Sequence, residues 1–163
     1  MKHFAPAYVY TSEGLQANKI ISISDDGIID SISDVGAQFI APPSTEIESL
    51  PNIALLPGFV NVHSHVFQRA LRGHTHRPLS RHDTFWTWRN AMYAEAQRLN
   101  PDTLYALALT TYREMLAAGY TTVGEFHYVH HQPHGQPYAE PNAMSEAILQ
   151  AGREAGIQVV LLM

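Results

Sequence analysis

Cysteine is absent from the 163 residues, so disulfides, thiolate metal sites and a cysteine nucleophile are all excluded. Positive charge is scarce: ten Lys and Arg face fifteen Asp and Glu, for a net charge of −5. Nucleic-acid-binding chains normally carry a basic face, and this balance argues against one. No stretch approaches the ~20 apolar residues of a membrane span. The opening Met1-Lys2-His3-Phe4-Ala5-Pro6 leads into no apolar run of the kind that heads a secretory signal. These absences predict a soluble, cytoplasmic chain that engages neither nucleic acid nor membrane. Histidine, by contrast, is abundant, with ten residues, as many as Lys and Arg together. Without cysteine, a transition-metal site must use imidazole and carboxylate, a donor set suited to zinc, iron or manganese. The 45% hydrophobic content is enough for one domain with a real core.

The first fifty residues read as β structure. Tyr8-Val9-Tyr10-Thr11 is a short run of strand formers ending at Ser12-Glu13-Gly14. Ile20–Ser24 and Gly27–Ile32 flank Asp25-Asp26-Gly27, and an Asp-Gly between two Ile-rich runs signals a hairpin. Val35 to Ser49 is turn-rich. From Ile53 the pattern changes to alternating strand and helix. Ile53-Ala54-Leu55-Leu56 followed by Phe59-Val60-Asn61-Val62-His63 is apolar enough for a buried strand. Asp83 to Gln97 is expected to be helical. Asn100-Pro101-Asp102 has the composition of a helix start, and Gly119 stands where a C-terminal glycine belongs. Thr121–His127 is the next strand, Asn142–Ala155 the next helix, and Ile157–Met163 a further strand. Alternation of this kind predicts parallel strands with right-handed crossovers. The last strand has no helix behind it, and an eight-stranded β/α barrel needs ~250 residues, so the chain reads as the front of a larger fold.

His63-Ser64-His65 at the end of the first apolar strand carries the main chemical signal. Residues i and i+2 of a strand share a face about 6.6 Å apart along it, and two imidazoles there can lean together onto one ion at ~2.1 Å. Taken alone, the tripeptide reads more readily as two polar residues at a strand-to-loop junction than as a metal site. His74-Thr75-His76 repeats the spacing between Gly73 and Pro78 and reads as a solvated loop. His127, His130, His131 and His134 straddle a strand end and a Pro/Gly loop, and read as polar residues at the mouth of a pocket. Glu125 stands either as the buried partner of an imidazole or as a solvated strand-end carboxylate. Phe85, Trp86 and Trp88, near a helix start, read as core.

The string Leu56-Pro57-Gly58-Phe59-Val60-Asn61-Val62-His63-Ser64-His65 resembles the first barrel strand of the amidohydrolase superfamily. Three further stretches narrow the resemblance to its formimidoylglutamate deiminase family: His65-Val66-Phe67-Gln68-Arg69-Ala70, Asp83-Thr84-Phe85-Trp86-Thr87-Trp88-Arg89 and Glu125-Phe126-His127-Tyr128-Val129-His130-His131. The resemblance implies an α/β fold. Residues 1–52 would form a small β-hairpin or β-sandwich region, and residues 53–163 the first β-α-β-α-β portion of an incomplete (β/α)8 barrel. It implies one divalent metal, zinc being the expected ion, with His63 and His65 as its first two ligands. Gln68 would face a small-molecule substrate, Arg89 would grip its glutamyl carboxylate through paired hydrogen bonds, and Tyr128 would supply a hydroxyl. The implied reaction is hydrolysis of N-formimidoyl-L-glutamate to N-formyl-L-glutamate and ammonia, a step of histidine degradation, by metal-activated water. The family draws its remaining His and Asp ligands and its acid/base groups from later strands, so none of the catalytic groups is expected in this segment.

Two other readings stay open at this point. One is another aminohydrolase of the superfamily acting on guanine or a related purine. The other is a non-catalytic remnant that binds metal weakly or pairs its exposed strand with another chain. A homo-oligomer is among the assemblies left open for the complete protein.

Overall fold

The computed structural model describes residues 1–36, 46–74 and 84–163. The expected turn-rich Val35–Ser49 segment and the His74-Thr75-His76 repeat lie partly outside these residues, as does Asp83. The chain divides into two compact units, Met1–Pro57 and Gly58–Met163. The division falls five residues later than the expected boundary between 52 and 53.

The first unit is a five-stranded sheet built from β1 (Lys2–Thr11), β2 (Gly14–Gln16), β3 (Lys19–Ile23), β4 (Ile29–Asp34) and β5 (Ile47–Leu55). The Asp-Gly hairpin forms as its sequence requires. Gly27 takes φ 84°, Gly27 N–H donates to the Ser24 carbonyl at 3.0 Å, and β3 pairs antiparallel with β4. β1 is longer than its Tyr8–Thr11 signal, because the strand passes through Pro6 with a register irregularity between Pro6 and Tyr8. The larger correction concerns Ile53–Leu55. These residues are not the start of a buried barrel strand. They end β5, which runs parallel to β1 with Tyr8 opposite Ala54 and Val9 opposite Leu55. Pairing across some forty-five residues leaves no local sequence signal, which is why the boundary was displaced.

The second unit alternates as expected: β6 (Phe59–Ser64), α1 (Phe85–Ala96), α2 (Pro101–Ala117), β7 (Tyr120–Phe126), α3 (Ala143–Ala155) and β8 (Gln158–Leu162). The strands form a parallel sheet in the order β6-β7-β8. Among the described residues this is an open sheet rather than a closed barrel. Several helix ends are set by local chemistry. The Asn100 side chain accepts from Thr103 N–H at 2.9 Å while the Thr103 hydroxyl accepts from Asn100 N–H at 2.9 Å, with Pro101 in the first turn. Thr84 and Thr87 cap α1 in the same reciprocal way. Gly156 ends α3 at φ 85°. A Cβ on Gly152 would sit 2.4 Å from Val159 Cγ2, so only glycine lets α3 approach β8 this closely.

The core lies between the helices and one face of the sheet. Leu104, Ala108, Tyr112, Val123, Met144 and Ile148 are fully buried at its centre. β6 itself is not buried, contrary to its apolar composition: Phe59, Val60 and Val62 are 54%, 60% and 78% exposed. It is an edge strand, paired on one side with β7, and a parallel strand is covered only where neighbours and helices flank it. Phe85 and Trp86 are likewise exposed rather than core, at the outer side of the first turn of α1, whereas Trp88 packs against the core. Among the described residues no helix is long and apolar enough to cross a membrane.

Candidate metal and substrate site

The site lies at the C-terminal end of β6 and β7. The register between them slips between Asn61 and Ser64, where β6 uses one residue more than β7. This bulge leaves the His63 N–H without a ladder partner, and the Asn61 side-chain carbonyl accepts it at 3.2 Å. Beyond the bulge Ser64 points into the buried layer and stands opposite Glu125, while His63 and His65 turn to the exposed side.

The two imidazoles converge. Their Nε2 atoms are 3.0 Å apart, and the rings meet edge to face with centroids 4.6 Å apart. The other nitrogen of His65, Nδ1, is 2.7 Å from the Phe126 carbonyl. A carbonyl only accepts, so Nδ1 carries the hydrogen and Nε2 presents a lone pair. Metal-binding histidines are commonly held in this way. Two ligand nitrogens ~2.1 Å from one tetrahedral ion lie roughly 3–3.5 Å apart, so the pair fits a divalent metal. Among the described residues there is no group of three or more His, Asp or Glu side chains placed to hold one.

Gln68 and Tyr128 come together beside His65. The Gln68 amide donates to the Tyr128 hydroxyl at 2.9 Å, both lie near Met92 Sδ, and the Tyr128 ring meets the His65 ring at 5.0 Å. Arg89 is on α1, one turn before Met92, and is not in hydrogen-bond contact with that pair. Its guanidinium stacks on Trp86 at 5.3 Å and Tyr93 at 4.9 Å. Among the described residues it has no carboxylate partner, which leaves the planar donor fork free.

Strand alternation separates the second histidine cluster. Val123, Glu125 and His127 point into the helix-covered layer, so His127 is buried at 3% exposure rather than standing at a pocket mouth. Burial, with a smaller contribution from neighbouring His130, pushes its imidazole down to about 4, and its Nε2 has no hydrogen-bond partner. His130 and His131 do line a cavity of about 200 Å³, with Phe67, Tyr93 and Tyr128 among its walls. Glu125 is 1% exposed, so it is not a solvated carboxylate. Its Oε1 accepts from Val66 N–H at 2.8 Å, and its Oε2 is unpartnered. Burial raises its pKa above the usual carboxylate range, opposed by the Val66 N–H, the Ser64 hydroxyl and the nearby His65 and His63. The residue-by-residue reading had no means of finding the Val66 and Phe126 contacts, because they join positions about sixty residues apart.

Comparison with known proteins shows the family of the chain. The profile of the Amidohydrolase family matches residues 54–162. A formimidoylglutamate deiminase of Pseudomonas aeruginosa is 41% identical over 121 residues, 73% of this chain and 25% of that protein. An 8-oxoguanine deaminase of the same organism is 27% identical over 124 residues, covering 76% of this chain and 26% of that protein. The crystal structure of an amidohydrolase from Brucella melitensis superimposes with a TM-score of 0.84 at 36% identity, over 99% of this chain and 34% of that one. The chain therefore spans about a quarter to a third of the length of the relatives it matches.

Proposed function

This chain belongs to the amidohydrolase family, and we propose from that premise that it is the first portion of a metal-dependent hydrolase releasing ammonia from N-formimidoyl-L-glutamate to give N-formyl-L-glutamate. Its three parallel strands are then the first of a (β/α)8 barrel. The observation that carries the reading is the convergence of His63 and His65 Nε2 to 3.0 Å with His65 Nδ1 committed to a carbonyl. A divalent ion held there, zinc in this reading, supplies the Lewis acidity that makes water nucleophilic at neutral pH.

The chain's own residues account for substrate choice. Arg89, with its uncommitted guanidinium braced between two aromatic rings, grips a carboxylate of the glutamyl part through parallel hydrogen bonds. Gln68 and Tyr128, already bonded to each other beside His65, exchange that bond for bonds to polar groups of the substrate. The proton for the departing nitrogen must come from an acid/base group, which is assigned to no residue of this chain. A purine-type aminohydrolase is the second reading, favoured by the similarity to 8-oxoguanine deaminase. A ring substrate lacking a carboxylate gives Arg89 nothing to grip, and this separates the two.

In the complete protein, His63→Ala should abolish bound zinc and ammonia release together. Full activity in that variant would refute the ligand assignment. Arg89→Met should lower kcat/KM for N-formimidoyl-L-glutamate by roughly 100-fold, the loss of a charged hydrogen-bonded pair worth about 3 kcal/mol, while zinc content stays near that of the unsubstituted protein. Metal loss instead would make Arg89 structural. Turnover of 8-oxoguanine alone would select the second reading.

A further inference from the structure

β7 holds His65 at two consecutive residues. Phe126 offers its backbone carbonyl to the His65 ring at 2.7 Å, and Glu125 offers its side chain to the N–H of Val66, the next residue along from His65, at 2.8 Å. The second contact is wholly buried: Glu125 is 1% exposed and Val66 2%. Ser64, on the other flank of His65, is also buried and stands opposite Glu125 in the strand register. The 3-10 segment Val66–Leu71 begins at this point with no side-chain cap from His65. The Glu125 carboxylate therefore satisfies an N–H that would otherwise be orphaned at the start of that turn.

We infer that Glu125 is the positioning residue of the histidine pair, clamping the backbone after His65 so that β7 sets the direction in which the ring's free nitrogen points. The inference rests on the reading of His63 and His65 as metal ligands. Glu125 lies in the helix-covered layer, on the opposite side of the strands from the rings, and acts on the metal only through the path of the main chain. Partners hydrogen-bonded to the ligand itself typically change metal affinity by about 10–100-fold when removed, and a clamp on the adjoining backbone is expected to act within that range. The hydrogen bond carries the effect. Glutamine, whose side-chain oxygen reaches the same N–H, should therefore preserve it, whereas alanine should not.

The test is zinc affinity of the complete, metal-stripped protein by competition with a chromophoric chelator, with the melting temperature of the metal-free form measured alongside. Glu125→Ala should weaken zinc binding by roughly 10–100-fold, and Glu125→Gln should restore it to within about threefold of the parent. Unchanged affinity in Glu125→Ala, with only a lower melting temperature, would overturn the inference, and so would a glutamine variant as weak as alanine. Should the alanine variant fail to fold, Glu125→Asp, one methylene too short to reach Val66, takes its place with the same expected loss, and parental affinity in it would equally overturn the inference. His63→Ala keeps the two levels apart. Parental zinc affinity in that variant removes the metal reading itself, whereas loss there with retention in the Glu125 variants removes only the role of Glu125.

Discussion

The two units each contain one sheet, five-stranded in the first and three-stranded in the second, and treat it differently. Among the described residues of Met1–Pro57 the buried ones are Pro6, Val9, Ile20, Ile21 and Ser22, while Tyr8, Tyr10, Leu15, Ile29 and Ile32 are 42% to 57% exposed. In Gly58–Met163 α2 packs against β7 and α3 against β8, with a continuous core from Val66 to Ile157. The chemically interesting rings stand on the other face, against Phe126 and Tyr128. Their anchors, Glu125 and the backbone around it, belong to the covered layer. Close packing on one side of a strand is what allows precise placement on the other. The first unit has no comparable layer among its described residues.

The contrast is best broken from its strong side. Leu104→Ala, at a position with no exposure at all in the second core, should lower the stability of that unit by roughly 3–5 kcal/mol. Hydrogen exchange of the complete protein would show accelerated opening of α2 and β7, and unchanged protection there would mean that the core is looser than its burial implies. Acid should produce the next largest effect. Folding depresses the His127 imidazole to about 4 from its usual 6.5, so between those values the unfolded chain binds the extra proton. The associated stability is complete above about pH 6.5 and is lost as pH falls towards 4, to an extent on the order of 2–3 kcal/mol. The His130 ring, its centroid 4.6 Å away, contributes to this lowering. Chemical denaturation from pH 7 to 4 should show this slope in the parent and a reduced one in His127→Gln, and equal slopes would contradict the assignment. The weak side should barely respond. Ile29→Thr, at a strand position 57% exposed, should change stability by less than about 0.5 kcal/mol. A loss above about 2 kcal/mol would show that this side chain is covered in the complete protein.

Elements specified by neighbours in sequence were legible before the structure. The Asp-Gly turn, the Asn100-Pro101 start of α2, the glycine stop at 119 and the His63/His65 spacing all act over a few residues, and all appear where their chemistry puts them. Features that depend on distant pairing were not legible. Ile53–Leu55 is apolar enough for either sheet, and only its parallel partner in β1 decides between them. The exposure of β6 follows from its edge position, which no residue of β6 encodes. Within the site, the convergence of Gln68 with Tyr128 and the anchoring of His65 by β7 join segments about sixty positions apart. The bulge before Ser64 also escaped a reading that treated β6 as a regular strand. Even so, the two rings converge, with their Nε2 atoms 3.0 Å apart.

The contact between His65 Nδ1 and the Phe126 oxygen has one more consequence. The acceptor belongs to a peptide bond and not to a side chain, so no codon change at 126 can delete it. Saturation mutagenesis there would remodel the aromatic surface beside the rings while the imidazole kept its hydrogen on the same nitrogen. Tautomer choice at His65 is thereby insulated from genetic variation at the residue that dictates it.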